Sequence, residues 1–553
     1  MGRSLHGSTL RALAFQIGIG TLLFSVAAGS QEPSSVGLRD CTALADVASP
    51  SLRIDTARAA RPDEQRTGAG AVLPEHCIVR GVLEPRLGAN GKAYGIGFEL
   101  RLPAAWGGRF LFQGGGGLDG SVQPALGPSP LRGARELPGA LARRFAVVAM
   151  DGGHQGDGAG FAADEQAWND FAYAAAAKLT PVAKDLTQRY YGRAIRYSYF
   201  VGCSNGGREA MMAAQRDPSA FDGVVAGNPG FDLAYSALEE VWETAVLQER
   251  APRDGSGNAI LSRALSEGEL QLLAEAVLNA CDGADGIIDG LIFNYACRFD
   301  PRSLRCRSTA AQPACLADDK IDLIGRLFAG AVSPDGRSLY ASWPYDSGVA
   351  AAAWRQQKLG TSATAEPNSG NAIRGAESLY GFLLKQAVAK PLPSPATIAA
   401  TAAALRSSAV LVNADRTDMS AFAARGGKLL LFQGMSDPVF SAHDLISWYG
   451  RALVDTGSAR PWSRLFLSPG MGHCGGGPGL DNFDALTAIQ NWVEAGELPE
   501  RLIATGASFP GVSRPLCAYP KAALYDGAGP RGAAASFRCE LPVSPAAAAL
   551  GSR

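Results

Sequence analysis

Tyr197-Ser198-Tyr199-Phe200-Val201-Gly202-Cys203-Ser204-Asn205-Gly206-Gly207 is the stretch whose reading decides the fold. Its first five residues are largely aromatic or β-branched, as in a buried strand. A G-x-S-x-G motif follows, and a helical run begins at Gly207. A strand-to-helix turn this tight needs small residues beside the serine and leaves the hydroxyl exposed above the sheet. The helix N-terminus beneath favours developing negative charge. The motif alone also occurs in ordinary glycine-rich turns. The strand before it and the helix after it predict Ser204 as a nucleophile.

Working outward, further apolar runs read as strands at 97–102, 109–112, 145–150, 223–226, 428–432 and 463–467. Ala146-Val147-Val148-Ala149 is apolar on both faces, the mark of a central strand in a covered sheet. Helical patterns lie between, notably at 167–189 and 207–215, and the Ala-rich segment 396–404 also reads as helix. Strands alternating with helices predict an α/β sheet. The alternation stops after Asn228-Pro229-Gly230 and resumes at Lys428. The expected architecture is an α/β-hydrolase core, residues 29–230 and 421–553, carrying a large inserted lid domain at 231–420. A chain of 553 residues has room for both.

Serine needs a base. Among His6, His76, His154, His443 and His473, the last lies in a glycine-rich loop just after the strand 463–467. That is the position and chain order of a hydrolase base. His6 lies in the leader and His76 reads as upstream of the core, while His154 and His443 read as structural or peripheral. Asp437 follows the strand 428–432 by a short loop and is the expected third member, orienting the imidazole; Asp444 is the fallback. For the oxyanion, the backbone N–H of Asn205 and one from the run Gly114-Gly115-Gly116-Gly117 are expected, with Gly116 chosen.

Ten cysteines and an N-terminal pattern point to export. Arg3 and Arg11 precede an apolar run ending in Val26-Ala27-Ala28, the layout of a signal peptide over residues 1–28. All ten cysteines lie beyond it, with no CxxC pair, so disulfides are expected rather than metal sites. Cys203 precedes the serine and Cys474 follows the histidine. If Ser204 and His473 are in hydrogen-bond reach, those cysteines are close enough to be bridged. With 51 basic and 52 acidic residues and no basic stripe, nucleic acid and anionic membranes are not expected partners. Oligomeric state is not readable.

Adjacent Cys-Ser, a later Asp and adjacent His-Cys resemble the signature of the tannase and feruloyl esterase family, which includes the bacterial mono(2-hydroxyethyl) terephthalate hydrolases. The likeness runs from about Cys41 to Cys539. It implies a hydrolase core with a lid over the active site, and bridges Cys41–Cys77, Cys281–Cys297, Cys306–Cys315 and Cys517–Cys539. Sequence alone leaves those connectivities open.

Asp282-Gly283-Ala284-Asp285-Gly286-Ile287-Ile288-Asp289-Gly290 places three carboxylates in a glycine-rich loop, which suits a calcium ion although the spacing is not that of an EF-hand. The resemblance adds the carbonyls of Ile287 and Leu291 to Asp282, Asp285 and Asp289, around a structural Ca2+ in the lid. A solvated acidic turn is the plain alternative.

The expected function is therefore secreted or periplasmic serine ester hydrolysis. By resemblance the substrates are esters of aromatic acids: gallate, ferulate or related hydroxycinnamates. Arg374 is a candidate carboxylate-binding residue, which keeps terephthalate monoesters open; a surface or structural arginine is its plainer reading. Trp242, Tyr380 and Phe382 could line the pocket, with core packing the simpler role. A peptidase and a non-catalytic calcium-stabilised binding protein on the same scaffold are the rival classes.

Overall fold

The chain is described by a computed structural model covering residues 40–542, apart from 48, 63, 65–69, 71, 89–90, 307–314 and 389–391. The expected signal peptide therefore lies outside the described residues. Nine strands form one sheet: β1 (Leu52–Ala60), β2 (His76–Leu87), β3 (Ala93–Pro103), β4 (Arg109–Gln113), β5 (Phe145–Met150), β6 (Tyr197–Cys203), β7 (Gly223–Gly227), β8 (Lys428–Gly434) and β9 (Ser463–Ser468). Their order is β1-β2-β3-β5-β4-β6-β7-β8-β9. The first three pair antiparallel, β3 meets β5 antiparallel, and from β5 to β9 every pairing is parallel.

All seven predicted strands lie in this sheet. β5 and β7 are buried at every residue, as strands covered on both faces must be. β1 and β2 were not predicted. Their exposed arginines and acids break the apolar pattern, because β1 is an edge strand with one wet face. His76 is corrected by this: it opens β2 and is fully buried, with Nδ1 2.6 Å from the Pro74 carbonyl. Two short hairpin-like sheets near the C-terminus were also missed: Arg501–Thr505 with Ser513–Cys517, and Ala522–Tyr525 with Phe537–Glu540.

The helix expected at 207–215 runs Asn205–Arg216. The one expected at 167–189 is a composite, with Glu165–Asn169, a π turn Asp170–Ala174 and then Ala175–Tyr191 in sequence. Asp164 caps its start by accepting from the Ala167 N–H, and Gly192 ends it in the left-handed region at φ 63°. The Ala-rich segment is split at Thr401 into Pro395–Ala400 and Ala402–Val412.

One hydrophobic cluster packs helices Ala175–Tyr191, Asn205–Arg216 and Ala442–Thr456 on one face of the sheet. A second, including Phe432, Phe466, Ile489 and Trp492, covers the other. Among the described residues, the chain between β7 and β8 adds no strand to the sheet. Its helices gather around a third cluster, including Leu238, Trp242, Leu273, Ile324 and Phe382, joined by Phe161, Trp168 and Phe171 from before β6. Cys203 and Cys474 are bridged, as their places beside Ser204 and His473 led us to expect, and Cys41–Cys77, Cys281–Cys297, Cys306–Cys315 and Cys517–Cys539 pair as the resemblance implies. Among the described residues no helix is long and apolar enough to cross a membrane.

Candidate active site

The parallel strands deliver the site by their register. Gln113 of β4 pairs with Val201 of β6, Cys203 with Gly227, Gly227 with Phe432, and Gly434 of β8 with Ser468 of β9. The segments that leave these carboxyl ends are therefore neighbours: the glycine run after β4, Ser204 after β6, Asn228 after β7, Asp437 after β8 and His473 after β9. Open α/β sheets bind ligands along this edge.

Ser204 sits between β6 and its helix with φ 65°, ψ −126°, a conformation costly for any residue with a Cβ. The two motif glycines explain how the turn closes. A Cβ on Gly202 would lie 2.3 Å from the Gly206 carbonyl oxygen, and one on Gly206 would lie 2.6 Å from that of Gly115. Both contacts are with backbone, which cannot move aside.

Ser204 Oγ is 2.8 Å from His473 Nε2, and His473 Nδ1 is 2.9 Å from Asp437 Oδ2. The three residues singled out from the sequence are thus brought into one hydrogen-bonded chain. Asp437 is buried, and burial would push its carboxyl up; the adjacent imidazole, the Asn228 amide and the Val439 N–H together hold it below the usual range. Asn228 Nδ2 donates to Asp437 Oδ2 at 2.7 Å, Gln433 Nε2 donates to the same oxygen at 3.1 Å, and the Val439 N–H donates to Oδ1 at 2.8 Å. The fallback Asp444 lies in the helix Ala442–Thr456 and makes no bond to His473; burial pushes its carboxyl up to about 7. Asp346, from the segment between β7 and β8, ties the acid and base loops together. Its Oδ2 accepts from Ser436 Oγ and from the Gly470 N–H, each at 2.6 Å.

The glycine run needs a correction. The Gly116 N–H, expected to face an oxyanion, donates to Asp119 Oδ1 at 3.1 Å, because Asp119 turns back with φ 41° and its own N–H reaches the Gly116 carbonyl. The Gly115 N–H donates to Glu209 Oε2 at 3.0 Å and the Gly114 N–H to the Val201 carbonyl at 2.9 Å. Among the described residues, the N–H groups of Gly117 and Asn205 have no acceptor.

Above Ser204 opens a cavity of ≈ 660 Å³. Its walls include Leu233, Trp354, Phe440 and Pro128, with Glu240, Gln357 and Arg374 as polar members from the segment between β7 and β8. Arg374 does reach the cavity, held by a 2.6 Å bond from its guanidinium to Gln357 Oε1. Glu240 was not foreseen. It is 7% exposed, and burial followed by repulsion from Glu243 pushes its carboxyl up to about 8. Trp242, Tyr380 and Phe382 are buried in the third cluster and do not line the cavity. His154 is stacked on Phe161 with its Nε2 2.9 Å from the Leu118 carbonyl, and burial pushes it down to about 4. His443 meets Ser342 Oγ at 3.1 Å. Neither makes a hydrogen bond to Ser204, Asp437 or His473.

The acidic loop does not gather its carboxylates around a common point. Asp282 accepts from the N–H groups of Asp289 and Gly290, and Asp285 from those of Ile287 and Phe293. Asp289 pairs with Arg514. Among the described residues no three acidic, histidine or cysteine side chains stand in metal-binding geometry. Asp282 and Asp285 are nevertheless buried and have no ion-pair partner among the described residues, and burial pushes Asp285 up to about 7.

A G-x-S-x-G turn on the parallel part of a mixed sheet, with an acid and a histidine emerging in that chain order, defines a hydrolase of the α/β-hydrolase fold. The sequence model described as "Tannase and feruloyl esterase" matches residues 77–540, and the chain belongs to that family. It is 37% identical over 532 residues to the mono(2-hydroxyethyl) terephthalate hydrolase of Piscinibacter sakaiensis, covering 86% of each chain. With the probable feruloyl esterase B-1 of Aspergillus fumigatus it shares 30% identity over 78% of this chain and 80% of the relative. The crystal structure of feruloyl esterase B from Aspergillus oryzae superposes with a TM-score of 0.73 at 23% identity, covering 90% of this chain and 98% of that one. The ester-hydrolase class displaces the non-catalytic binding scaffold.

Proposed function

We propose that the protein hydrolyses esters of aromatic acids through an acyl-enzyme on Ser204, with residues 231–420 acting as a lid on the core. The observation that carries this reading is the 2.8 Å contact of Ser204 Oγ with His473 Nε2, backed by Asp437. His473 Nε2 takes the Ser204 proton as Oγ bonds to the ester carbonyl carbon. Asp437 holds the imidazole tautomer and stabilises the imidazolium. The N–H of Asn205 and one from the glycine run receive the oxyanion. Gly117 replaces Gly116 as that second donor, because its N–H is unengaged among the described residues. The alcohol leaves with the proton from His473; a water deprotonated by the same nitrogen then releases the acid.

The cavity wall supports an aromatic acyl group: Leu233, Trp354 and Phe440 supply apolar surface, while Gln357, Glu240 and Arg374 offer polar partners for ring substituents. Gallate and ferulate esters fit that description. A second reading, mono(2-hydroxyethyl) terephthalate hydrolysis, is favoured by Arg374, whose guanidinium suits a second carboxylate, and by the Piscinibacter relative's name.

Export to the periplasm or the medium belongs to the same proposal, supported by five disulfides in one chain. So does calcium at Asp282, Asp285 and Asp289 with the Ile287 and Leu291 carbonyls. Its support is the burial of two carboxylates without a countercharge. The three carboxylates do not converge in this loop, where Asp289 is engaged by Arg514, and no catalytic step depends on the ion.

The test is turnover of methyl gallate, methyl ferulate and mono(2-hydroxyethyl) terephthalate by purified protein, with Ser204→Ala beside it. Turnover of any one, abolished in the variant, upholds the acyl-enzyme and names the acyl preference. Turnover that survives Ser204→Ala overturns it.

A further inference from the structure

Asp119 and Glu209 lie beneath the glycine run, and four hydrogen bonds from three donor groups reach them. Asp119 Oδ1 accepts from the Gly116 N–H at 3.1 Å and from Asn205 Nδ2 at 2.8 Å. Glu209 Oε2 accepts from the Gly115 N–H at 3.0 Å, and Glu209 Oε1 from Asn205 Nδ2 at 3.2 Å. The fourth carboxyl oxygen, Asp119 Oδ2, is buried and has no N–H or O–H donor. Both carboxyls thus lie within reach of the one Asn205 amide nitrogen, and a proton on Asp119 would turn its unmatched Oδ2 from an orphaned acceptor into a donor.

Charge leads to the same count. Arg208 is the cation that acts on both acids. Arg208 is fully buried, donates to Asn205 Oδ1 at 2.8 Å, and also donates to the carbonyls of Ala172, Val412 and Phe171. One guanidinium balances one carboxylate, so a second negative charge would be buried uncompensated. Burial, and then the neighbouring acid, pushes Asp119 well above the ordinary carboxyl range; burial raises Glu209 as well.

We propose that Asp119 and Glu209 share one proton, Asp119 Oδ2–H donating to Glu209, and that this acid pair is the positioning unit of the oxyanion site. The pair grips both segments that supply oxyanion donors: the glycine run through Gly115 and Gly116, and the Ser204 turn through the Asn205 side chain. The N–H groups it does not engage, those of Asn205 and Gly117, are the ones left for substrate. Neither acid touches the reacting atoms. Loss of the shared proton sets two charges against each other and loosens the run, so kcat declines at alkaline pH.

This inference rests on the acyl-transfer reading of Ser204, and its test keeps the two separable. Kinetics are measured on 4-nitrophenyl acetate and on an aromatic ester for Asp119→Ala, Glu209→Ala and Asp119→Asn, with thermal melts confirming folding. The alanine variants are expected to lose about 10²–10³-fold in kcat, as for removal of an oxyanion donor, with KM changed little. Asp119→Asn keeps a donor at Oδ2's position; it is expected to rescue kcat relative to alanine and to remove the alkaline decline. If the alanine variants do not fold, the Asp119→Asn pH profile decides. A difference infrared spectrum, wild type minus Asp119→Asn at neutral pH, is expected to contain one protonated carboxyl C=O band. A folded Glu209→Ala with wild-type kcat, an unchanged alkaline limb in Asp119→Asn, or absence of that band overturns the pair. An inactive wild type sinks the acyl-transfer reading instead, while the infrared band still decides the proton.

Discussion

Cys203 and Cys474 are joined across 271 residues with their Cα atoms 6.2 Å apart, one residue before Ser204 and one after His473. The bridge therefore fixes the separation of the two groups that exchange a proton. Closing a loop of that length is worth roughly 5 kcal/mol on the chain-entropy scale. The double variant Cys203→Ala/Cys474→Ala is expected to melt well below wild type and to lose at least tenfold in kcat. Differential scanning calorimetry and steady-state kinetics check this. A variant that is less stable yet equally fast below its melting range would reduce the bridge to a staple.

Asn228 is a second constraint on the same proton path. It is fully buried with φ 37°, and its amide donates to Asp437 Oδ2 at 2.7 Å. Removing a hydrogen bond to a charged group costs about 1.5–3 kcal/mol, or roughly ten- to a hundredfold. Asn228→Ala is expected to lower kcat within that range with KM little changed. Asp437 loses one of the bonds that hold its carboxyl down, so the acid limb of the kcat profile is expected to move upward in pH. An unmoved limb would make Asn228 a packing residue only.

Ser204, His473 and Asp437 were legible because each is announced by local chain: a strand, a short loop and a residue type whose chemistry is known. Asn228 has the same strand-end position after β7, but asparagine after a strand is also an ordinary turn residue. Glu240 and Glu209 lie on helices whose charged residues normally face water, and only the packing of the segment between β7 and β8 buries Glu240. The glycine run was visible, yet which N–H is free depends on the turn at Asp119, a tertiary feature. In the sheet, the central strands declared themselves by apolar continuity, while β1 and β2 carried arginines on their exposed face and were overlooked.

Arg374 separates the two substrate readings. Its guanidinium reaches the cavity and bonds Gln357. If it binds a second carboxylate, Arg374→Ala is expected to raise KM for mono(2-hydroxyethyl) terephthalate about ten- to a hundredfold, and for methyl ferulate less than about threefold. Equal effects on both esters assign Arg374 to holding Gln357.

Calcium is checked on stability rather than rate. Binding to the folded state alone raises the melting temperature with ligand concentration. Protein stripped with EDTA is expected to melt several degrees lower than protein in millimolar calcium, and Asp285→Asn is expected to abolish the difference. Identical melting with and without calcium would leave the loop as an acidic turn held by its own amides and Arg514.

Glu240 makes stability depend on pH in a direction opposite to that of an ion-paired acid. Its carboxyl is pushed up to about 8 from an ordinary value of 4.5, by burial and then by Glu243, against the pull of Arg374 and Lys358. Between those two pH values the folded chain holds a proton that the unfolded chain has released. Its contribution to stability is therefore complete below about 4.5, declines as pH rises, and is lost above about 8. Glu240→Gln keeps the shape without the ionisation. The variant is expected to match wild type near pH 4.5 and to exceed it by a few degrees in Tm at about pH 9, where a buried charge costs wild type most. Glu239, also pushed up to about 8, is common to both proteins, so the difference between their melting curves isolates Glu240. Parallel curves across that range would mean that the cavity hydrates this carboxyl well enough to ionise it freely.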